Sequence, residues 1–315
     1  MVAKMESIIY GPVPSRRLGI SLGVDIVPFK TCSYDCIYCQ LGKTTHRTLK
    51  RKSFVDPNLV LKEIKELLMT NKDIDYITFS GSGEPTLNKD IGEMIKRIKE
   101  KTKIPVAVLT NGSLLWDESV RRDLSKADLV VPSMDCVSEE VFQKINRPVK
   151  GLTIKKVLTG LKTFTQEFKG KIQLEIMLVK GVNDSQEEIE KMNEFIKELK
   201  ADKIQLNTVV RPPAEPEVKL LDLDRLKKIK KIFEKSHRVE IISDFKRKTK
   251  KSYHKDLERA ILELLKRRPT RDDEMATSLG VHKNELLKYL NILENEKKIK
   301  RKKAKDKKGF FFMKN

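Results

Sequence analysis

The chain has 315 residues, four cysteines and a formal net charge of +21 at pH 7. This length allows a sizeable core and more than one domain, and no apolar run in the sequence is long enough to cross a membrane. The first residues lack a long apolar stretch and a small-residue cleavage site, so we expect a cytoplasmic protein with reduced thiols and no membrane partner.

Short apolar stretches of β character alternate with amphipathic helical stretches along most of the chain. The predicted strands cover residues 18–27, 75–80, 104–109, 129–134, 172–179 and 203–208. The predicted helices cover residues 89–101, 138–145, 153–168, 185–199 and 222–234. This alternation predicts an α/β fold with a parallel sheet of about six units. A partial (β/α)6 TIM-like barrel fits this number better than a closed barrel of eight units.

The last part of the chain has a different pattern. A basic run at residues 246–254 predicts a linker between a domain at 1–245 and a smaller one at 255–315. The smaller domain has helical spacing at 256–266, 272–278 and 283–296, and a basic hairpin is predicted at 297–312 with its turn at 306–309. Thr270 is expected to cap the second of these helices and Gly280 to form the turn after it. The pattern resembles a winged helix-turn-helix.

Positive charge is concentrated in this C-terminal segment. Residues 246–315 contain 23 Lys and Arg against 10 Asp and Glu, a net charge of +13. Such a segment indicates a polyanionic partner, most often nucleic acid. The alternative is a lysine-rich proteome, in which lysine and glutamate rise together. In this segment glutamate does not rise with lysine, which favours the nucleic-acid interpretation.

Three of the four cysteines, Cys32, Cys36 and Cys39, lie within eight residues with the spacing C-x3-C-x2-C. One disulfide would leave the third cysteine unpaired, and a structural zinc site needs four ligands. A four-iron cluster takes one thiolate per iron, so three cysteines leave one iron open to a small molecule. The run follows the first predicted strand, and Gly81 and Gly83 follow the second. We expect them to meet at the carboxyl-terminal edge of the sheet.

Four motifs follow one another at or near predicted strand ends: CSYDCIYC at 32–39, GSGEPTL at 81–87, TNGS at 110–113 and PSMD at 132–135. In this order they resemble the radical S-adenosylmethionine (SAM) superfamily over roughly residues 15–245. GPVPSRRLG at 11–19 and QLG at 40–42 are similar to Fe–S oxidoreductases related to wyosine-synthesis enzymes. The resemblance implies a [4Fe–4S] cluster on Cys32, Cys36 and Cys39, with SAM on the open iron. It also implies reductive cleavage of SAM to a 5′-deoxyadenosyl radical that abstracts hydrogen.

The same resemblance implies residues that bind SAM. Tyr38 lies where the family has an aromatic residue near the adenine, and a packing tyrosine is the alternative. Gly81, Ser82, Gly83 and Glu84 match the segment that meets the amino group of SAM, with Ser82 where a second glycine is common. A turn without a ligand is the alternative for this segment.

Further polar residues at strand ends are candidates for cofactor or substrate contact. Thr110, Asn111, Ser133 and Asp135 resemble positions that bind the ribose or the methionine carboxylate or that face the substrate, and loop caps are the alternative. Cys136 is a candidate hydrogen donor to a substrate radical, although a small buried cysteine is the commoner role. Three arginines are candidates for holding an anionic substrate, with surface or structural roles as the alternative: Arg16, Arg17 and Arg211.

Cys136 is the only cysteine outside the run, so no second cluster of three or four thiolates is available. Three functions fit. The first, which we favour, is a radical SAM enzyme that modifies RNA such as tRNA and grips phosphates with its basic C-terminal segment. The second is the same enzyme acting on a peptide, protein or small metabolite, with the tail as a docking domain. The third is a redox-sensing DNA-binding regulator. Either enzyme would need a reducing protein such as ferredoxin or flavodoxin.

Overall fold

The computed structural model describes residues 8–15, 17–70, 73–210, 213–242, 257–281, 283–303 and 310–314. The strands are β1 (Ile9–Ser15), β2 (Gly19–Val24), β3 (Thr31–Cys32), β4 (His46–Arg47), β5 (Tyr76–Phe79), β6 (Val106–Thr110), β7 (Leu129–Pro132), β8 (Lys171–Leu178), β9 (Lys203–Thr208), β10 (Val239–Ile241), β11 (Thr270–Arg271), β12 (Ile299–Lys303) and β13 (Phe310–Lys314). The α-helices are α1 (Pro57–Thr70), α2 (Ile91–Lys101), α3 (Glu118–Leu124), α4 (Glu139–Ile145), α5 (Ile154–Glu167), α6 (Gln186–Lys197), α7 (Leu223–Phe233), α8 (Leu257–Arg267), α9 (Asp272–Leu279) and α10 (Lys283–Asn295). Within the described ranges, no helix has both the length and the apolar character needed to cross a membrane.

One large sheet organises residues 8–242. Its strand order is β1-β2-β5-β6-β7-β8-β9-β10, with β1 antiparallel to β2 and every later neighbour parallel. Among the residues that the structure describes, no pairing joins β1 to β10, so the sheet stays open. The predicted α/β fold with a mostly parallel sheet is confirmed, and the open sheet is consistent with a partial barrel.

The six predicted strands are present as β2 and β5 to β9, and the five predicted helices as α2 and α4 to α7. The sequence did not predict β1, β10, α1 or α3. β1 reads IYGPVPS, and its glycine and two prolines interrupt the β signal. Proline is tolerated in β1 because the strand lies at the edge of the sheet.

The inner face of the sheet is polar at β8 and β9, whereas Ala107, Leu129 and Val131 make it apolar at β6 and β7. Side chains of β8 alternate along the strand, with every second residue buried. The aliphatic ones pack in the core between the sheet and the helices: Ile172, Leu174, Ile176 and Leu178. On the other face, Gln205 of β9 donates to Gln173 of β8 at 2.7 Å, and Asn207 of β9 donates to Glu175 of β8 at 3.0 Å. The part of the interior at β8 and β9 is therefore suited to a polar ligand.

Residues 257–314, called here the C-terminal module, contain α8 to α10 and an antiparallel sheet of order β11-β13-β12. The three helices lie where the sequence placed them, and Gly280 ends α9 with a φ of 63°. The strands β12 and β13 pair as in a hairpin, but the predicted turn and the predicted linker at 246–254 lie outside the described residues. The winged helix-turn-helix and the domain boundaries stay predictions.

The predicted role of Thr270 is wrong. Thr270 belongs to β11, pairs with Phe312 of β13 and donates its hydroxyl to the carbonyl of Arg268 at 3.1 Å. Arg271 takes the N-cap position of α9 without a side-chain capping bond. A third strand therefore occupies the position where the sequence indicated a helix cap.

Candidate active site

A cavity of about 380 Å³ lies at the carboxyl-terminal end of the parallel strands. The predicted site residues that line it are Cys32, Tyr38, Cys39, Gly81, Gly83, Glu84, Thr110, Asn111 and Ser133. The lining does not include Cys36, Ser82, Asp135 or Cys136, whose side chains the structure also describes. The structure thus brings most of the predicted residues together, although they come from separate strand ends.

Each thiol of the cysteine run faces an N–H donor from elsewhere in the chain. The pairs are Asn111 Nδ2 to Cys32 Sγ at 3.4 Å, Asn146 Nδ2 to Cys36 Sγ at 3.4 Å and Lys30 Nζ to Cys39 Sγ at 3.3 Å. Hydrogen bonds to sulfur stabilise anionic ligands and tune the reduction potential of iron–sulfur clusters. The donor set therefore fits three thiolates bound to iron.

Burial protects the thiols from ionisation in the absence of metal. It raises the pKa of Cys32 to about 12, with the nearby Glu84 carboxylate as the second cause, and it raises the pKa of Cys36 well above its usual range. Iron binding must therefore displace protons. Within the described part of the chain, no group of three or more His, Cys, Asp or Glu residues could hold a metal ion. A cubane does not require its ligands to surround one ion, because it takes each thiolate on a separate iron.

The glycines of residues 81–84 allow close packing within the protein. A Cβ atom at Gly83 would lie 1.9 Å from the carbonyl oxygen of Thr31, at the start of the cysteine loop. A Cβ atom at Gly81, whose φ is +145°, would lie 2.4 Å from Cγ of Asp25. Ser82 turns its buried side chain to the same carboxylate and donates to it at 2.5 Å. The glycines are thus needed for contact between loops, a reason that the sequence did not reveal.

Replacing Gly83 by alanine should lower the free energy of unfolding by about 3 kcal/mol, because the methyl group would overlap the Thr31 carbonyl. Gly181→Ala is the matched control, since Gly181 has a φ of +73° and no atom within 4 Å of the new Cβ. That change should cost about 1 kcal/mol from backbone strain alone. Denaturant unfolding of the iron-free protein measures both values. Equal costs at the two glycines would contradict the packing argument.

Glu84 is held rigidly at the cavity wall. Its carboxylate is 2% exposed and accepts hydrogen bonds from the backbone and hydroxyl of Thr86 at 3.0 and 2.6 Å, the hydroxyl of Thr110 at 2.6 Å and the backbone N–H of Asn111 at 2.7 Å. Burial raises the pKa of Glu84, and these hydrogen bonds oppose the rise. Thr110 therefore orients Glu84, and its expected direct contact with SAM stays a prediction.

The buried Asp135 and the half-buried Tyr38 form a pair beside the cysteine run. The Tyr38 hydroxyl donates to Asp135 at 2.5 Å, and Asp135 also accepts from Asn146 at 2.7 Å and from the backbone N–H of Met177 at 3.0 Å. Burial raises the pKa of Asp135 to about 6. Because Asn146 in turn donates to Cys36, the carboxylate orients a donor to the predicted cluster. Asp135 does not line the cavity, and its expected contact with the ligand stays a prediction.

Cys136 does not lie at the cavity. Its side chain is 1% exposed and packs in an apolar cluster with Tyr34, Phe142 and Ile145. Burial raises the pKa of its thiol well above the usual range. The structure therefore favours the packing role over the predicted hydrogen donor.

Sequence reasoning missed two donors to the cysteines. Lys30 is buried with a positive φ of 59°, and its ammonium contacts Cys39 and the carbonyl of Gly42. Its position two residues before Cys32 was an available signal. Asn146 gave no signal, because it lies 110 residues from Cys36 in the chain.

Arginines also line the cavity. Arg17 forms an ion pair with Glu175, and both side chains are mostly buried. The module contributes Arg267 and Arg268 to the same lining, which the sequence did not predict. The other two arginines predicted to hold an anionic substrate lie outside the described residues: Arg16 and Arg211.

Comparison with known proteins identifies the family. The family model described as the radical SAM superfamily matches residues 26–196, which is more than half of the chain. The chain therefore belongs to the radical SAM superfamily. Its cofactors are a [4Fe–4S] cluster and SAM, as in other members. The three-cysteine loop and its N–H donors fit that cluster.

Individual relatives extend beyond the matched region. A UPF0026 protein of Methanocaldococcus jannaschii is 36% identical over 298 residues, covering 93% of this chain and 92% of that protein. A protein named GTPase Obg from Brachyspira hyodysenteriae is 40% identical over 293 residues, but this chain spans only 43% of its length. The structure of TYW1 with a lysine-pyruvate adduct bound has a TM-score of 0.54 and 19% identity, covering 72% of this chain and 76% of that one. That likeness shows the fold alone, and the wyosine-related branch stays a prediction.

Proposed function

We propose that this radical SAM protein is an enzyme that reductively cleaves SAM at a single [4Fe–4S] cluster held by Cys32, Cys36 and Cys39. When bound, the cofactors supply a 5′-deoxyadenosyl radical, formed with methionine when one electron breaks a C–S bond, and the radical takes a hydrogen atom from the substrate. The meeting of the cysteine loop, Glu84 and the polar inner face at one cavity carries the proposal. A small reducing protein such as ferredoxin or flavodoxin would deliver the electron.

The residues of the chain prepare this cavity in distinct ways. Glu84 offers a buried, fixed acceptor for the amino group of SAM. Lys30, Asn111 and Asn146 direct N–H groups at the three sulfurs and favour their anionic form. The substrate would bind beside Arg17 and the polar residues of β8 and β9, which line the same cavity.

RNA, such as tRNA, is the substrate that we propose first. In addition to the net charge of residues 246–315, β12 exposes four successive basic side chains to solvent: Lys300, Arg301, Lys302 and Lys303. Basic side chains on one strand can bind successive phosphates and release counterions. The module would then grip RNA while the barrel presents the radical to a base.

A peptide or a small metabolite is the second candidate substrate. The Arg17–Glu175 pair supports it, since the two side chains line the cavity and offer complementary charges to a zwitterionic group. In this version the module need not bind nucleic acid.

Anaerobic incubation of the iron-loaded protein with SAM and dithionite should give 5′-deoxyadenosine, and the rate should rise when bulk tRNA is added. The triple variant Lys300→Gln, Lys302→Gln, Lys303→Gln should lose most of this rise and show a weaker salt dependence of RNA binding. Rates are measured by chromatographic quantification of 5′-deoxyadenosine.

The matched control removes the same charge from α7, where Lys227, Lys228 and Lys231 are exposed on the barrel. Replacing these three by glutamine should leave the response to tRNA unchanged. If tRNA does not change the rate of 5′-deoxyadenosine formation in wild type or in either triple variant, RNA is rejected as the substrate and the second candidate is left. Absence of 5′-deoxyadenosine under all conditions would reject the enzyme.

A further inference from the structure

We infer that Arg267, the last residue of α8, is a positioning residue of the SAM site, because through Asp25 it holds the loop of residues 81–84 that meets the amino group of SAM. The inference rests on the proposed function and assigns a further residue to the same site. It makes the C-terminal module a component of the active site, in contrast to a docking domain joined to a complete barrel.

Asp25 is the residue on which the loop rests. It follows β2, is 5% exposed, and accepts hydrogen bonds at Oδ2 from the backbone N–H of Ser82 at 3.1 Å and from its hydroxyl at 2.5 Å. The same oxygen pairs with the guanidinium of Arg267. The backbone of Gly81 lies directly against the Asp25 side chain, as the absence of room for a Cβ atom shows. A displacement of Asp25 is therefore passed to residues 81 and 82.

The charge of Asp25 depends on Arg267. A carboxylate buried this deeply needs a counter-charge, or it takes up a proton. The two side chains are 2% and 10% exposed, so water screens the pair little. Burial raises the pKa of Asp25, while Ser82 and Arg267 oppose the rise. Without Arg267, Asp25 would become protonated or move towards water, and either change loosens its hold on Ser82.

Arg267 also contacts β1. The guanidinium lies over the ring of Tyr10 in β1, 5.6 Å from its centroid, and the Tyr10 hydroxyl bonds to that of Ser80 at 2.7 Å. Tyr10 also packs against the apolar cluster of the module. Two links therefore run from the module to the end of β5, one through Tyr10 to Ser80 and one through Asp25 to Ser82.

Removing the Arg267–Asp25 ion pair shows whether Arg267 positions the loop of residues 81–84 or only joins the module to the barrel. If Arg267 only joins the module to the barrel, its removal lowers the melting temperature but leaves the affinity for SAM unchanged in the folded protein. If Arg267 positions the loop, its removal weakens SAM binding while the cysteine loop still holds iron. Cluster content and SAM affinity must therefore be measured separately.

The test uses the full chain loaded with iron and the variants Arg267→Met, Asp25→Asn and their combination. Each single change should raise the dissociation constant for SAM about 10- to 100-fold, as losses of supporting hydrogen bonds do at metal sites, with iron content unchanged. The double variant should bind SAM as tightly as the single variant with the lower affinity, because both changes break the same link between Arg267 and Asp25. Arg267→Lys should restore part of the affinity.

Arg271→Met is the matched control. Arg271 is a buried arginine of the same module, lies over the ring of Phe311 at 4.9 Å from its centroid, and is not among the described residues that line the cavity. Its loss should lower stability and leave the affinity for SAM as in the wild type.

Amide hydrogen exchange of the iron-free protein gives a second readout without cofactors. Exchange at residues 80–84 should be faster in Arg267→Met and Asp25→Asn and unchanged in Arg271→Met. If Arg267→Met fails to fold, Asp25→Asn decides, since it keeps the shape of the side chain. Unchanged affinity and exchange in both variants would overturn the inference. Failure of the proposed function is seen separately, as wild-type protein that holds iron but does not cleave SAM.

Discussion

Replacing Cys36 by alanine should abolish cluster assembly and the formation of 5′-deoxyadenosine. Only three thiolates hold the four irons, so the loss of one leaves two irons without a protein ligand. Asn146 would also lose the sulfur to which it donates. Anaerobic reconstitution should give about four irons per wild-type chain. The variant should retain little iron, have no visible cluster absorbance and cleave no SAM above the level of the iron-free protein.

Cys136→Ala is the control for this change. It removes the one thiol outside the run from a packed apolar cluster, so it should cost some stability and leave iron content and SAM cleavage intact. Circular dichroism of both iron-free variants shows whether each still folds. If Cys36→Ala held four irons, the ligand assignment would be wrong. If Cys136→Ala kept its iron but no longer turned over substrate, the result would support Cys136 as a hydrogen donor over a packing role.

The parallel sheet was predictable from sequence because its strands are short, apolar and separated by helices of regular length. β9 is the best case, since its observed range equals the predicted one. β1 was not predictable in this way, because Gly11, Pro12 and Pro14 hide an edge strand that is held by pairing with β2. Pairing with a neighbour is a tertiary contact that outweighs local preference.

The cysteine run and Glu84 were predictable because their chemistry depends on residue type and spacing within a few positions. The residues that support them were not, since each acts across a long separation in the chain. Asn146 reaches Cys36 from 110 residues away, and Arg267 reaches Asp25 from 242 residues away. No local pattern marks either residue. The sequence therefore indicated which atoms would do the chemistry, and the structure was needed to find what holds those atoms in place.

Glu84→Gln should weaken SAM binding about 10- to 100-fold while the cluster stays in place. The carboxylate gives a charge-assisted hydrogen bond to the amino group of SAM, and a neutral amide gives a weaker one. The new NH2 group would also face donors, since the Asn111 N–H and the hydroxyl of Thr110 both point at the carboxylate. SAM affinity of the iron-loaded protein, measured by calorimetry, and iron content together check this expectation.

Glu188→Gln is the matched control, because Glu188 is also a buried carboxylate that accepts hydrogen bonds from backbone N–H groups, those of Val137 and Ser138 at 2.7 and 3.1 Å. It is not among the described residues that line the cavity. The two changes should therefore have similar costs in stability, and only Glu84→Gln should change the affinity for SAM. Equal affinity in both variants would remove Glu84 from the binding site.

Wild type and Glu84→Gln should differ in how SAM affinity and the free energy of unfolding respond to pH. As the pH falls, the titration of Glu84 should lower the SAM affinity of wild type and raise its free energy of unfolding relative to the variant. Burial raises the pKa of Glu84 above that of an exposed glutamate, so between these two values the folded protein binds more protons at this residue than the unfolded chain. In that window, lowering the pH stabilises the fold, because protonation is more favourable in the folded state. It weakens SAM binding, because the protonated carboxyl no longer offers a charged acceptor. A wild-type curve that parallels the variant for both quantities would show that Glu84 does not titrate at the site.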